Sequence, residues 1–510
     1  MFAWLARLPL PVSLIGLAGA AMFIPAAHAA AIGEGKIAEV FFWIGTLTLV
    51  VGGLIGIAMA GRPRGDHPRR HLAGFLALFV AMPFLLAIPF HEAVGNTRFF
   101  NAYFEMVSCL TTTGATLYDT PGRLAGPLHT WRATVGWLGG LFMWVGAIAV
   151  LAPMALGGFE VRLRSPGGKA ATNPGGHSQI TERADLSRRI RTHAASLTPV
   201  YVMLTLMLWL GLILAGDTPS VALAHAMSTI STSGISPVGG LSGGGTGHAA
   251  EVMVAIFLVF AISRLTFARE GQTQGLPTLS RDPEIRIAST LILAVPAFLF
   301  LRHFLAAFEE EGAELALFDG IASLWGSVFT VISFLTTTGW ESLAWDTARD
   351  WSGLRTPGMI LLGLAMIGGG VATTAGGAKL LRVYAIYKHG VREMERLVHP
   401  HSVGGSGGEA RHLRRRGAYM AWLFFMLMTL SLALVMAALA LAGAEFEDAL
   451  VLAVAGLTTT GPLAGVGGSQ PIDYAELTVA AKAVLAAAMI FGRLETLAVV
   501  ALFSRELWRR

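Results

Sequence analysis

Long apolar runs separated by short polar stretches dominate the chain, and their lengths fall into two groups. The runs at 9–30, 37–60, 72–90, 128–157, 192–215, 248–268, 285–306, 356–388, 414–442 and 475–503 predict about ten transmembrane helices, since about 20 residues cross a ~30 Å hydrocarbon core. Four shorter apolar segments, at 99–111, 219–231, 318–336 and 446–458, suit re-entrant helices that enter the membrane and stop. Each short segment runs into a hydroxyl-rich turn closed by glycine: Thr111-Thr112-Thr113-Gly114, Ser231-Thr232-Ser233-Gly234, Thr336-Thr337-Thr338-Gly339 and Thr458-Thr459-Thr460-Gly461. Backbone that leaves helical geometry at membrane depth exposes carbonyl oxygens that hydrocarbon cannot solvate. Such a break persists only within protein or beside a water-filled cavity.

After the first two spans, the order span, short helix, turn, span recurs four times. Each unit contains two full crossings, so all four share one orientation and can be related by an axis along the membrane normal. The chain divides on this reading into a helix pair (1–71) and four pore repeats (72–165, 166–270, 271–400 and 401–510). The predicted fold is an all-α integral membrane protein with four pseudo-symmetric helix–pore-loop–helix repeats around one central pore.

Composition agrees with a membrane solvent. Of 510 residues, 54% are hydrophobic and 14% charged, and the mean hydropathy is +0.62. The net charge of +5 does not point to nucleic acid, because the basic residues gather in short loops on one side of the predicted spans. These are Arg62 to Arg70, Arg162 to Arg191, Arg264 to Arg286, Arg382 to Arg416 and the tail from Arg505 to Arg510. That side is predicted to be cytoplasmic, with both termini inside. Arg7 and the apolar run up to Ala27-His28-Ala29 have the layout of a cleavable leader, but keeping the segment as a helix makes the loop charges alternate. The single cysteine, Cys109, excludes intrachain disulfides and thiolate metal clusters.

One Thr-Thr-Thr-Gly alone is an ordinary helix stop. Four at matching positions point to backbone coordination of an ion. Glycine permits backbone angles that strain other residues, so the carbonyls of Thr112, Thr113, Thr232, Ser233, Thr337, Thr338, Thr459 and Thr460 can turn inward beside Gly114, Gly234, Gly339 and Gly461. Helices entering from outside would aim the negative ends of their dipoles at the cavity, which favours cations. No ring of arginine, lysine or carboxylate accompanies the turns, so a weakly hydrated monovalent cation fits better than an anion or a divalent ion.

The 356–388 run is interrupted by Gly368-Gly369-Gly370 and Gly376-Gly377, too rich in glycine to hold a continuous helix at low cost. A phosphate-binding loop is excluded, since no strand precedes these glycines and no Gly-Lys-Ser/Thr follows. Arg493 lies well inside the last span, where a cation must face water or a partner. Read from the residues alone, it would snorkel beside Glu495 near the cytoplasmic end. His399 and His401 sit near Arg411 and Arg414 to Arg416 and read as solvated loop residues, and His225 as a hydrogen-bonded packing residue. An intramembrane enzyme would need an acid, base or metal constellation at one depth, and the spans offer none.

With these residues the chain resembles the Trk/Ktr/HKT superfamily of potassium transporters, most closely the TrkH/TrkG potassium uptake subunits. The resemblance runs through Phe104-Glu105, Leu110 to Ala115, Gly136-Trp137-Leu138-Gly139-Gly140, Asp282-Pro283-Glu284, Gly368 to Lys379, Arg396-Leu397-Val398-His399-Pro400 and Gly492-Arg493-Leu494-Glu495. It implies a potassium filter with a glycine in each turn, an intramembrane gating loop at Gly368 to Lys379, and Arg493 as an electrostatic barrier in the pore. It also implies potassium uptake across a bacterial inner membrane, a homodimer with one pore per protomer, and a cytosolic ring of RCK domains (TrkA type). No nucleotide motif is visible in this chain, so ATP, ADP or NAD would act on that ring. The alternative within transport is a sodium-permeable or weakly selective cation channel; members that prefer sodium often carry serine where Gly114 stands. The second turn, Ser-Thr-Ser-Gly, and Pro462 after the fourth depart from strict fourfold symmetry.

Overall fold

The computed structural model describes residues 10–59, 68–152, 158–159, 186–245, 247–263, 282–307, 317–354, 356–399 and 415–494. The basic stretches between them, with His401 and Glu495, lie outside the described residues. Among the described residues there is no strand.

The N-terminal group is α1 (Leu10–Ala21), α2 (Phe23–Ala31) and α3 (Gly35–Ala58). One expected span is thus two helices. Pro25 cannot donate a backbone hydrogen bond and so belongs in a first turn, which is where it sits in α2. The chain continues through α4 (Pro68–Val94), α5 (Phe99–Leu110) and α6 (Gly126–Gly146), the last running into a π-helical turn at Ala147–Leu151. Next come α7 (Leu186–Ala215), α8 (Pro219–Ser231), α9 (His248–Leu258) with a 3-10 turn at Val259–Ala261, α10 (Pro283–Ala307) and α11 (Leu317–Leu335). The remainder is α12 (Trp345–Ser352), α13 (Gly358–Ile367), α14 (Leu380–Val398), α15 (Arg415–Leu441), α16 (Phe446–Thr458), α17 (Leu463–Val466) and α18 (Val479–Leu494).

Among the described residues, seven stretches are long and apolar enough to cross a membrane: Pro11–Ala31, Gly35–Ala58, Gly74–Val94, Gly126–Leu151, Arg189–Ala215, Pro283–Arg302 and Gly417–Leu441. The expected crossings at 248–268 and 356–388 are shorter as helices, because a 3-10 turn ends the first and the glycine run breaks the second. Large apolar side chains such as Trp43, Leu54, Leu210, Leu293 and Leu434 face outward. That pattern suits a hydrocarbon surrounding.

The short helices pack between longer ones: α5 against α4 and α6, α8 against α6 and α7, α11 against α10 and α13, and α16 against α15 and α18. Small residues allow close approach. A Cβ on Gly139 or Gly492 would run into the backbone of Leu110 or Leu457, at the ends of α5 and α16.

Polar side chains tether the linker that follows each turn, and Glu105, His225 and Glu251 among them are buried. Glu105 on α5 pairs with Arg132 on α6, Oε1 to Nε 2.7 Å, and its Oε2 accepts the Leu117 N–H at 3.0 Å. The His225 ring on α8 shares a 2.9 Å hydrogen bond with the Ser236 hydroxyl. Glu251 on α9 accepts hydrogen bonds from Trp325 Nε1, the Ser342 hydroxyl and the Leu343 N–H, and Glu447 on α16 accepts two from Ser469. Arg132→Ala would leave the fully buried Glu105 carboxylate uncompensated, an expected loss of about 3–5 kcal/mol. Thermal unfolding of the detergent-solubilised protein checks it: a midpoint unchanged from the unsubstituted protein contradicts the expectation.

Candidate ion-conducting site

The four turns share one construction. In the first, the N–H of Thr113 reaches back to the Ser108 carbonyl at 2.8 Å and that of Thr112 to Cys109 at 2.9 Å. The same pair of bonds recurs as Ser233 to Ser228 and Thr232 to Thr229, Thr338 to Ser333 and Thr337 to Phe334, and Thr460 to Ala455 and Thr459 to Gly456. Such a cap satisfies carbonyls of the last helical turn and needs a left-handed residue just past the helix end, a position glycine usually fills. Here threonine fills it every time: Thr112, Thr232, Thr337 and Thr459 have φ of 53°, 53°, 58° and 54°. A β-branched residue in that region is strained.

The hydroxyls supply a second repeated network. Thr111, Ser231, Thr336 and Thr458 each donate to the carbonyl four residues earlier. Each also meets the hydroxyl two positions on, Thr113, Ser233, Thr338 or Thr460, at 2.8–3.2 Å. These leading hydroxyls escaped selection as site residues, although their fixed offset from the glycine was a signal in the sequence.

The four turns stand around one another in chain order. A Cβ on Gly114 would collide with the Ser233 carbonyl, one on Gly234 with the Thr338 carbonyl, one on Gly339 with the Pro462 ring, and one on Gly461 with the Ala115 backbone. All four approaches are closer than 3.0 Å, tighter than real Cβ atoms allow. The circle is sealed by the Gly461 N–H donating to the Thr113 carbonyl at 2.6 Å. Gly114, Gly234 and Gly339 have φ of 75°, 63° and 81°, whereas Gly461 does not enter the left-handed region. Pro462 explains the exception, since a residue before proline is pushed toward extended geometry.

Thr112, Thr113, Thr232, Ser233, Thr337, Thr338, Thr459 and Thr460 are all buried. No donor among the described residues bonds the carbonyls of Thr112, Thr232, Thr337 and Thr459. No charged side chain belongs to any turn, and α5, α8, α11 and α16 all point their C-terminal, partially negative ends at the circle. Such an arrangement favours a cation bound by dipoles. Among the described residues no group of three His, Cys, Asp or Glu could hold a metal ion. On the linker outside the helices, desolvation and the neighbouring Asp473 carboxylate push the Asp119 carboxyl up to about 7.

The loop between α13 and α14 lies against the turns. Its base is closed by the N–H groups of Ala378, Lys379 and Leu380, which donate to the carbonyls of Met366, Ile367 and Gly369 at 2.9–3.0 Å. At its tip the Gly376 N–H donates to Thr337 Oγ1 at 2.7 Å, and a Cβ on Gly376 would collide with Thr458 and Thr459. Thr374 donates to the Ile230 carbonyl at 3.2 Å. Gly369 and Gly370 pack on the backbone after α9, while Gly368, Gly377, Ala372 and Lys379 have positive φ. Lys379 is buried, and its Nζ donates to the Ala375 carbonyl. Arg493, 2% exposed on α18, donates from Nη1 to the Thr374 carbonyl at 2.7 Å. The structure thus brings the four turns, the glycine-rich loop and Arg493 into one cluster.

A family model for TrkH, described as a cation transport protein, matches residues 288–509. The chain is 30% identical to a Trk system potassium uptake protein TrkH of Salmonella typhimurium over 437 residues, covering 84% of this chain and 82% of that protein. It is 28% identical to the Trk system potassium uptake protein TrkG of Escherichia coli, with 81% and 80% covered. Among solved structures, the crystal structure of the potassium transporter TrkH from Vibrio parahaemolyticus superposes with a TM-score of 0.78 at 25% identity, covering 98% of both chains. An all-helical multi-pass membrane protein with this extent of likeness belongs to the TrkH family of cation transport proteins.

Proposed function

We propose that the chain takes up potassium through the circle of four turns, whose backbone carbonyls replace the ion's hydration shell. The observation that carries this reading is the closed ring of contacts from Gly114 through Gly234, Gly339 and Gly461 back to Ala115. Four identical caps in four short helices supply the oxygen dipoles, and the relatives named as potassium uptake proteins support the choice of ion. An inside-negative potential would draw each cation inward by about 2.3 kcal/mol per 100 mV.

The loop from Gly368 to Lys379 is the gate on this reading, and Arg493 its electrostatic barrier. The units 72–165, 166–270, 271–400 and 401–510 each contribute one quarter of the pore, preceded by the helix pair 1–71. The protein works as a homodimer in the inner membrane, both termini cytoplasmic, under a cytosolic TrkA-type ring that binds the controlling nucleotide.

The test is growth at limiting potassium of a bacterium stripped of its own uptake systems and supplied with this chain and its partner ring. Growth restored at micromolar potassium supports uptake. Correct membrane insertion without growth, or reversal potentials that track sodium as well as potassium, would favour the weakly selective alternative.

A further inference from the structure

Asp282-Pro283-Glu284 does not reach the four turns, yet it grips the loop beneath them. Glu284 opens α10 and is fully buried, and its Oε1 accepts the backbone N–H of Val371 at 2.8 Å. Asp282 orients it: Oδ1 accepts the Glu284 N–H at 3.1 Å, while Oδ2 accepts the Ser263 hydroxyl at 2.5 Å. The backbone beyond α9 holds the adjacent loop residue, because the Gly370 N–H donates to the Ala261 carbonyl at 3.0 Å and a Cβ on Gly370 would collide with Ile262. Two segments distant in sequence, Ala261–Ser263 and Asp282–Glu284, therefore clamp neighbouring residues of the loop and are tied to each other.

The loop needs such a restraint. Ala372 and Lys379 carry side chains at φ of 58° and 81°, conformations that persist only where surrounding contacts impose them. A buried carboxylate accepting a backbone N–H makes a stronger bond than a neutral acceptor would. We propose that Glu284, oriented by Asp282 and Ser263, is the clasp that positions the Gly368–Lys379 loop against the turns, and that conduction requires its release. This assignment rests on the loop being the gate, as proposed above. Glu284 is a positioning residue: it acts on the ion path through Val371.

The test uses the full chain in proteoliposomes, without the partner ring, and reads rubidium influx. Glu284→Ala is expected to raise basal influx about tenfold, the factor that corresponds to one lost charge-assisted hydrogen bond. Glu284→Gln retains an oxygen acceptor for the Val371 N–H and is expected to restore low influx. Ser263→Ala loosens the clasp while leaving the carboxylate in place, with an intermediate rise expected; it serves if Glu284→Ala fails to insert. A second readout separates position from stability. In a Thr373→Cys background, Glu284→Ala should speed labelling by a membrane-impermeant thiol reagent, against little background because Cys109 is buried.

A variant lacking residues 372–375 tests the gate itself. If it conducts more but the inserted Glu284 or Ser263 variants change neither influx nor labelling, the clasp is overturned and the gate survives. If it conducts no more than the unsubstituted protein, the gate reading falls and the clasp with it.

Discussion

Gly114→Ser is expected to lower the potassium-to-sodium permeability ratio by tenfold or more. Two costs act at that position. The left-handed φ of 75° penalises any residue with a Cβ by about 1–2 kcal/mol, and the added atom would occupy the place of the Ser233 carbonyl oxygen. The first turn then has to shift, or to push the second aside, and either movement displaces oxygens whose separation sets which bare ion they fit. A change of about 1.4 kcal/mol in the preference for one ion over the other is a factor of ten. Reversal potentials in mixed potassium and sodium salts measure the ratio. Gly465→Ser is the control, since nothing lies within 4 Å of a Cβ built there; it should leave the ratio unchanged. An unaltered ratio in a fully inserted Gly114→Ser protein would remove Gly114 from the ion path.

Arg493→Ala is expected to raise potassium flux by roughly tenfold. A unit charge about 10 Å from a passing cation, at an effective dielectric of about 20, opposes it by about 1.7 kcal/mol. The substitution also frees the Thr374 carbonyl from the guanidinium, so it acts on the loop as well as on the field. Arg493→Lys separates these effects: the charge is kept while the fixed geometry of the guanidinium is lost. If flux through the lysine variant stays near the unsubstituted level and flux through the alanine variant rises, charge is the cause. Tracer rubidium uptake into potassium-loaded vesicles reads both, and equal flux in all three proteins would contradict the barrier.

Helix ends were largely legible in the sequence, because hydrophobic length and a glycine stop are local signals. The short segments expected at 219–231 and 446–458 coincide with α8 and α16, the one at 99–111 runs one residue past α5, and the one at 318–336 is shifted from α11 by one residue at both ends. Details that depend on distant partners were not legible. Nothing local marks Thr112 and its three counterparts, instead of glycine, as the left-handed residues; that follows from cap geometry and from packing by neighbouring turns. Nothing local marks Glu105, Glu251 or Glu447 as a tether; that role emerges only when Leu117, Ser342 and Ser469 are folded back onto them. The glycine run predicted a break in a helix, whereas its attachment to Thr337, Ile230 and Glu284 required the folded molecule.

The contacts among the four turn glycines run round the circle in chain order. Each quarter leans on the one that follows it in the chain, so a disturbance in any quarter is felt by the neighbours it touches. The third quarter meets the proline of the fourth, and only the fourth leans back on the first. An aperture made of four identical subunits would have to alter all its walls together. A single polypeptide can instead reshape one wall and let its neighbour transmit the change, which leaves the aperture open to adjustment one residue at a time.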